Sequence, residues 1–147
     1  MPERLEETVS LLEGLERAER IDALIGIAER FREVPERLAT RPFAAERRVP
    51  ACESEAYVWS ETAKDGALAF HFAVENPQGI SAKAMAALLA EGLEGVPAAE
   101  VAELPVSIVE RVFGRELSMG KSMGLSAMVQ FVRREARRHV AEVAASR

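Results

Sequence analysis

The sequence is poor in the side chains that bind metals or form disulfides: its 147 residues include one cysteine and two histidines. One thiol cannot form a disulfide within the chain, and these three side chains are too widely spaced to form a metal-ligand set. We therefore expect no metal and no resident cofactor. A lone free thiol is also typical of a reducing compartment.

Positive charge and long apolar runs are scarce as well. The 19 basic residues are outnumbered by 24 acidic ones, and the net charge of −5 argues against a broad nucleic-acid surface. No apolar run is long enough to span a bilayer, and residues 1–7 are acidic where a signal peptide would be basic and then apolar. We expect a soluble, cytoplasmic protein that binds neither nucleic acid nor membrane.

The composition is otherwise that of a folded globule, with 48% hydrophobic and 29% charged residues. The length suits one domain over residues 1–147. Apolar residues at helical spacing predict two N-terminal helices, at 5–15 and from 21 to near Val34, before Pro35 ends the pattern. Residues 35–50 contain three prolines and are expected to form a loop that Leu38 and Phe43 attach to the core.

The period changes to two after this loop and predicts a β-hairpin. Residues 56–62 form its first strand, and the Lys64-Asp65-Gly66 run is typical of a tight turn. The return strand places Leu68, Phe70, Phe72 and Val74 on one face and Ala67, Ala69, His71 and Ala73 on the other. We expect helices to cover the face with the large side chains.

Helices are predicted again after the hairpin. One runs from Ile80 to a left-handed cap at Gly92, two short helices follow Pro97 and Pro105, and a long helix covers 122–145. The buried stripe of the long helix is expected to include Leu125, Met128, Val129, Val132, Ala136, Val140 and Val143. The order of elements predicts an α+β fold with a small antiparallel sheet of about three strands packed against several helices.

Residues 47–59 contain the only cysteine, tyrosine and tryptophan of the chain. Pro50 restricts the backbone two residues before Cys52, so Cys52 is expected in a turn that leads into a strand and within reach of solvent. Arg47 and Arg48 would favour a thiolate there, whereas Glu53 and Glu55 would oppose it. Any chemistry of the protein is expected to start at this turn.

Two motifs resemble those of the SufE family, in the same order and at similar separations. The family motif G-C-x-S-x-V-aromatic corresponds to Ala51-Cys52-Glu53-Ser54-Glu55-Ala56-Tyr57, and L-x-P-x-R-x-x-G-L-x-x-M corresponds to residues 117–128. Alanine replaces the glycine before Cys52, which makes a positive φ there less favourable. Met119 and Lys121 replace the family's proline and arginine, and lysine keeps the charge without the planar fork of arginine.

The resemblance implies one SufE-like domain of the SufE/IscU-type fold that acts in sulfur relay. Cys52 would accept persulfide sulfur from a pyridoxal-phosphate-dependent, SufS-like cysteine desulfurase, stimulate that enzyme, and pass the sulfur on for iron–sulfur cluster assembly on a scaffold protein. Ser54 is a candidate support of the loop. Lys121 is a candidate contact for the thiolate or the partner. A carrier of this kind is expected to shelter its cysteine and release it on docking.

Two other hypotheses remain open at this point. Cys52 could pair with His71 in a thiol-dependent hydrolase or peroxidase, although a sulfur-transfer partner is favoured over an independent enzyme. Alternatively, the protein is an interaction domain in which Cys52 is inert. Gly120 and Gly124 flank Lys121 as in a phosphate-binding turn, but the full motif is absent, so nucleotide binding is not expected.

Overall fold

The segments in which large and small side chains alternate form the expected hairpin of β1 (Ala56–Thr62) and β2 (Leu68–Val74). The structure is a computed structural model that describes residues 1–63 and 65–147. The strands are antiparallel, with Ala56 opposite Val74 and Thr62 opposite Leu68. Gly66 has a φ of 82°, the left-handed geometry expected of the turn. Lys64 of the predicted turn lies outside the described residues.

The sheet has two named strands in the described part of the chain, rather than about three. Each outer edge instead carries a single-residue bridge, Glu33 to Phe72 on one side and Arg48 to Tyr57 on the other. A proline follows each bridging segment within two residues, at Pro35 and Pro50. Because proline has no N–H to donate, neither segment extends into a full strand.

Six helices are described in addition to the sheet, and their order agrees with the expectation. They are α1 (Glu3–Glu13), α2 (Arg17–Glu29), α3 (Ile80–Gly92), α4 (Ala98–Val101), α5 (Ile108–Phe113) and α6 (Met119–Ala145), with a 3₁₀ turn at Ala45–Arg47. The second helix ends at Glu29, well before Val34, because Val34 is hydrogen-bonded to the sheet instead. Its N–H donates to the Phe72 carbonyl of β2 at 2.8 Å.

The helix α3 ends at Gly92 as expected, but the predicted left-handed geometry of this residue is wrong. Gly92 is the last helical residue, and the left-handed glycine is Gly95, with a φ of 73°. Gly92 is needed there for a different reason. A Cβ at this position would lie 2.8 Å from Leu5 Cδ1, so the glycine lets α1 approach α3. The long helix α6 begins three residues earlier than expected, where the Ser118 hydroxyl accepts the Lys121 N–H at 3.2 Å.

The core lies between one face of the sheet and the helices, as the pattern of large side chains predicts. Val58, Phe72, Met85, Leu89 and Met128 are among its fully buried side chains. On the opposite face of the sheet, the Phe43 ring packs 5.2 Å from Tyr57 and 5.1 Å from Trp59. This aromatic cluster attaches the proline-containing loop to the sheet.

The C-terminal turns of α6 are more exposed than their sequence pattern indicates. That pattern places Val140 and Val143 in the buried stripe, but they are 39% and 41% exposed. The last buried residue of the helix is Ala136, so the following turns extend beyond the core. No helix in the described part of the chain is both long and apolar enough to cross a membrane.

Candidate functional site

Cys52 lies in a loop whose base is closed by backbone pairing, which we call the cysteine loop (residues 49–56). The Val49 N–H donates to the Ala56 carbonyl at 2.8 Å, and the bridge between Arg48 and Tyr57 continues this pairing. Within the loop, the Glu55 N–H donates to the Cys52 carbonyl at 3.1 Å. The cysteine is therefore carried by a hydrogen-bonded turn that leads directly into β1, as the sequence predicts.

Two residues of the cysteine loop have backbone angles that L-residues rarely adopt. Ala51 has a φ of 61° and Glu55 a φ of 53°. The left-handed region costs a non-glycine residue roughly 1–2 kcal/mol, because Cβ approaches the carbonyl oxygen. Residues in this region are often found at functional sites, where the surrounding structure holds them in place.

Three glycines outside the loop provide the space in which it packs. A Cβ at Gly124 of α6 would lie 3.1 Å from Cys52 Cα and 3.3 Å from the Ala51 carbonyl oxygen. At Gly79, before α3, it would lie 3.0 Å from Ser54 Cβ, and at Gly120 it would lie 2.8 Å from a Glu53 carboxylate oxygen. In the sequence, Gly120 and Gly124 resemble part of a phosphate-binding turn, whereas in the structure both contact the cysteine loop.

Backbone hydrogen bonds also join the loop to the segment that follows β2. The Asn76 N–H donates to the Ser54 carbonyl at 3.2 Å, and the Glu75 N–H donates to the Glu55 carbonyl at the same distance. In the sequence, residues 76–79 indicate only the end of the hairpin. Their part in the site could not be found from the sequence, because it depends on where β2 ends relative to Cys52.

Cys52 lines a cavity of about 300 Å³ between the cysteine loop and the starts of α3 and α6. Ser54 and Lys121 line the same cavity, so the structure brings together all three predicted site residues. Its other lining residues include Gln78, Ile80, Ser81 and Leu125. Only 8% of Cys52 is exposed. The expectation that it reaches solvent is therefore wrong for this conformation, because the loop folds onto both helices.

The basic residues around this cavity differ from those expected along the sequence, whereas the acidic Glu53 lines it as expected. Arg47 is engaged elsewhere, since it donates to Glu135 at 2.6 Å, and neither Arg47 nor Arg48 is among the described residues lining the cavity. Lys121 supplies the cation instead. The first turns of α3 and α6 also face the cavity, and the partial positive charge of a helix N-terminus favours an anion nearby.

His71 lies away from Cys52. It pairs with Trp59 across the hairpin, on the sheet face opposite the core, and it lines a different cavity of about 590 Å³. Its Nε2 lies 2.8 Å from the Glu61 carboxylate, which also accepts from Arg37 at 2.8 Å. The hydrogen bonds from Arg37 and His71 lower the pKa of Glu61 to about 2. The hypothesis of a Cys52–His71 couple is not supported by this arrangement.

A larger groove of about 480 Å³ adjoins the cysteine cavity and shares Ile80, Ser81 and Lys121 with it. Ile21 and Ile25 of α2 line this groove and are 47% and 39% exposed, although both belong to the apolar spacing that predicted this helix. Leu24 and Ile27 form the buried face of α2 instead. Among the described residues, no group of three side chains is arranged to hold a metal ion.

The chain is similar to known proteins both in sequence and in fold. The family model described as "SufE: Fe-S metabolism associated domain" matches residues 6–136. The solution structure of a hypothetical protein from Thermus thermophilus is similar, with a TM-score of 0.77 and 24% sequence identity over 96% of this chain and 98% of that one. At this identity the likeness shows the fold alone. The curated proteins include no match to the chain.

Proposed function

This chain belongs to the SufE family, which is associated with iron–sulfur metabolism, and from that membership we propose that it relays sulfur through Cys52. The proposed donor is the persulfide of a pyridoxal-phosphate-dependent cysteine desulfurase. The proposed acceptor of the sulfur from Cys52 is an iron–sulfur scaffold. We place this relay in the cytoplasm and in a single domain over residues 1–147.

The observation that carries the proposal is the placement of the only cysteine. Cys52 lies in a strained loop, at a cavity that also contains Ser54 and Lys121, and its surroundings leave little of it exposed. A persulfide is a reactive group, and a sheltered cavity would keep water and other thiols away from it. The lone thiol cannot hold a cluster by itself, which favours a carrier over a scaffold.

The transfer step needs no external oxidant or reductant. The Cys52 thiolate attacks the terminal sulfur of the desulfurase persulfide, and a new S–S bond forms at Cys52. The S–S bond in the desulfurase breaks, and its cysteine leaves as a thiolate. Cys52 then carries one extra sulfur atom as a persulfide, and the desulfurase is free for another turnover. Removal of the persulfide is how the protein would stimulate its partner.

The loop must open for this attack, because a partner sulfur cannot reach a buried thiol. Ala51 and Glu55 hold left-handed angles in the closed loop, and opening would relieve part of that strain. Lys121 would stabilise the Cys52 thiolate or contact the partner. Ser54 would support the closed loop, since its carbonyl is bonded to Asn76 and its side chain packs against Gly79.

The decisive experiment is to incubate the protein with a cysteine desulfurase and cysteine and then to measure its intact mass. We expect the wild type to gain the mass of one sulfur atom, which a reducing thiol removes. Cys52→Ser should gain nothing, and the chain has no second cysteine to confuse the result. A wild type that gains no sulfur, with a desulfurase shown to be active, would contradict the proposal.

The two rival hypotheses predict different results in the same preparations. A thiol-dependent enzyme would turn over a substrate without any partner protein and would lose that activity in His71→Ala. For the sulfur carrier, His71→Ala should leave the sulfur gain unchanged, because His71 contacts Glu61 on the far face of the sheet. An interaction domain with an inert cysteine would remain unmodified even with active desulfurase present.

A further inference from the structure

Glu135 is a buried carboxylate outside the cysteine cavity, and neither the family motifs nor the cavity accounts for it. It lies in the middle of α6 and is 4% exposed. An ionised carboxylate at such a position is costly unless it is fully hydrogen-bonded. Its partners therefore indicate why it is there.

Three side chains donate to this carboxylate. Arg47 Nη1 lies 2.6 Å and Ser60 Oγ 3.0 Å from Oε1, while Arg138 Nη2 lies 2.5 Å from Oε2. The Arg47 guanidinium also stacks over the Phe131 ring, with 5.6 Å between Cζ and the ring centroid, and its side chain is 20% exposed. Short hydrogen bonds to a charged group in a partly buried place are stronger than average ones.

Two of these donors lie outside the cysteine loop, on the segments that enter and leave it, which we call its incoming arm (residues 45–48) and its outgoing arm (β1). Arg47 lies on the incoming arm, two residues before Val49, and Ser60 lies on the outgoing arm, in β1. The same oxygen of Glu135 accepts from both. The helix that carries Glu135 also carries Gly120 and Gly124, against which the tip of the loop packs. One helix therefore contacts the loop at its tip and joins both of its arms.

We propose that Glu135 is a positioning residue that keeps the cysteine loop closed on α6. Without its carboxylate, the incoming arm loses its ion pair to α6, while the strained angles of Ala51 and Glu55 remain. The loop then opens more often, and Cys52 becomes reactive without a partner. This inference concerns access to Cys52, and its role in sulfur transfer rests on the proposed function.

The test measures the alkylation rate of Cys52 in the native protein with a small thiol reagent. Glu135→Gln keeps the shape of the side chain and removes its charge, and we expect its rate to rise about tenfold, the usual effect of losing one charged hydrogen bond. Arg47→Gln should produce a similar rise. In the double variant the effects should not add, because both changes break the same contact.

A loop opening can be distinguished from a general loss of stability in two ways. The alkylation rate of the variants should depend only weakly on low urea concentrations, since a local opening exposes little surface, whereas global unfolding depends on urea steeply. Glu6→Gln is the matched control: it removes a 2.7 Å ion pair to Arg111, between α1 and α5 rather than at the loop, and should leave the rate unchanged.

Unchanged alkylation in both Glu135→Gln and Arg47→Gln would overturn the inference, as would an equal rise in Glu6→Gln. If Glu135→Gln does not fold, Arg47→Gln and Ser60→Ala test the two arms separately. Failure of the proposed function would give a different result. If the variants are alkylated faster but the wild type gains no sulfur from the desulfurase, Glu135 positions the loop and the sulfur relay is contradicted.

Discussion

The two ends of the β-hairpin reverse the chain by different means. At the end joining β1 to β2, Gly66 adopts a φ of 82°, and a Cβ there would meet nothing within 4 Å. At the other end, the cysteine loop adopts positive φ at Ala51 and Glu55, and its glycines lie outside it, at Gly79 and Gly124 among others. In the hairpin turn, glycine occupies the position with the left-handed backbone angle. Around the cysteine loop, glycines occupy positions in neighbouring elements where a Cβ would collide with the loop.

The difference separates a turn whose positive φ has no steric cost from a loop whose positive φ values must be held by its surroundings. The hairpin turn uses a residue for which the left-handed region has no steric cost. The cysteine loop bears that cost at two positions and is held closed by packing against α3 and α6. A loop of this kind can be closed in the free protein and open in a complex, which a sulfur carrier with a buried thiol requires.

The largest effect on stability is expected from a substitution where the cysteine loop contacts α6. Gly124→Ala places a methyl group 3.1 Å from Cys52 Cα, and this neighbour is backbone that cannot rotate away. Overpacking of this kind costs about 1–3 kcal/mol, which exceeds the roughly 1 kcal/mol gained from better helix propensity. We expect lower stability in urea and faster alkylation of Cys52.

The matched control is Gly26→Ala in α2, an exposed helical glycine whose Cβ would meet nothing within 4 Å. It should raise the stability by about 0.5–1 kcal/mol and leave the alkylation of Cys52 unchanged. A stabilising effect of Gly124→Ala as large as that of Gly26→Ala would show that the loop does not depend on close contact with α6.

An intermediate effect on stability is expected from two opposite substitutions, glycine to alanine at one end of the hairpin and alanine to glycine at the other. Gly66→Ala forces alanine to the left-handed region and should destabilise the protein by about 1 kcal/mol. Ala51→Gly removes that cost in the cysteine loop and should stabilise the folded state by up to about 1 kcal/mol, less the added entropy of the unfolded chain. Urea unfolding of both variants measures the two values.

If Gly66→Ala and Ala51→Gly change the free energy of unfolding in the same direction, the strain at Ala51 is not what makes the cysteine loop different from the hairpin turn. Ala51→Gly has a second expected consequence. Because it lowers the energy of the closed loop, it should slow the alkylation of Cys52, whereas Gly66→Ala should not change it while the protein stays folded.

The smallest effect is expected from the ion pairs at the hairpin-turn end. The pKa of Glu61 is lowered to about 2, chiefly by the Arg37 hydrogen bond and then by His71. Since this pKa is about 4.3 in an unfolded chain, the stabilisation is complete above about pH 5 and is lost as the pH falls toward 2. The Glu61 side chain is 28% exposed, so we expect less than about 1 kcal/mol.

Urea unfolding at several pH values between about 2 and 6 tests this dependence. Glu61→Gln should be less stable than the wild type near neutral pH, and the gap should narrow as the medium becomes acidic. The alkylation of Cys52 should be the same in both proteins near neutral pH. A gap that widens in acid would contradict the assigned role of Glu61.

Much of the fold could be predicted because its signals are local. The period-two pattern of residues 56–62 and 68–74 predicted both strands and the face that carries the helices, and the long apolar stripe predicted α6. The predictions failed where a neighbour decided the outcome. Gly92 keeps helical geometry, and its missing Cβ leaves room for Leu5 of α1. On α2, Leu24 and Ile27 form the buried face, while Ile21 and Ile25 of the same apolar pattern are exposed.

The sequence by itself determined the α+β order of elements, the family, and the position of Cys52 in a turn before a strand. The tertiary structure alone decided that this cysteine is buried, that Ser54 and Lys121 share its cavity, and that Glu135 joins both arms of its loop. Helix and strand patterns arise from neighbours in the chain. The site depends on contacts between residues up to 88 positions apart, such as Arg47 and Glu135, whose proximity only the packing of α6 on β1 creates.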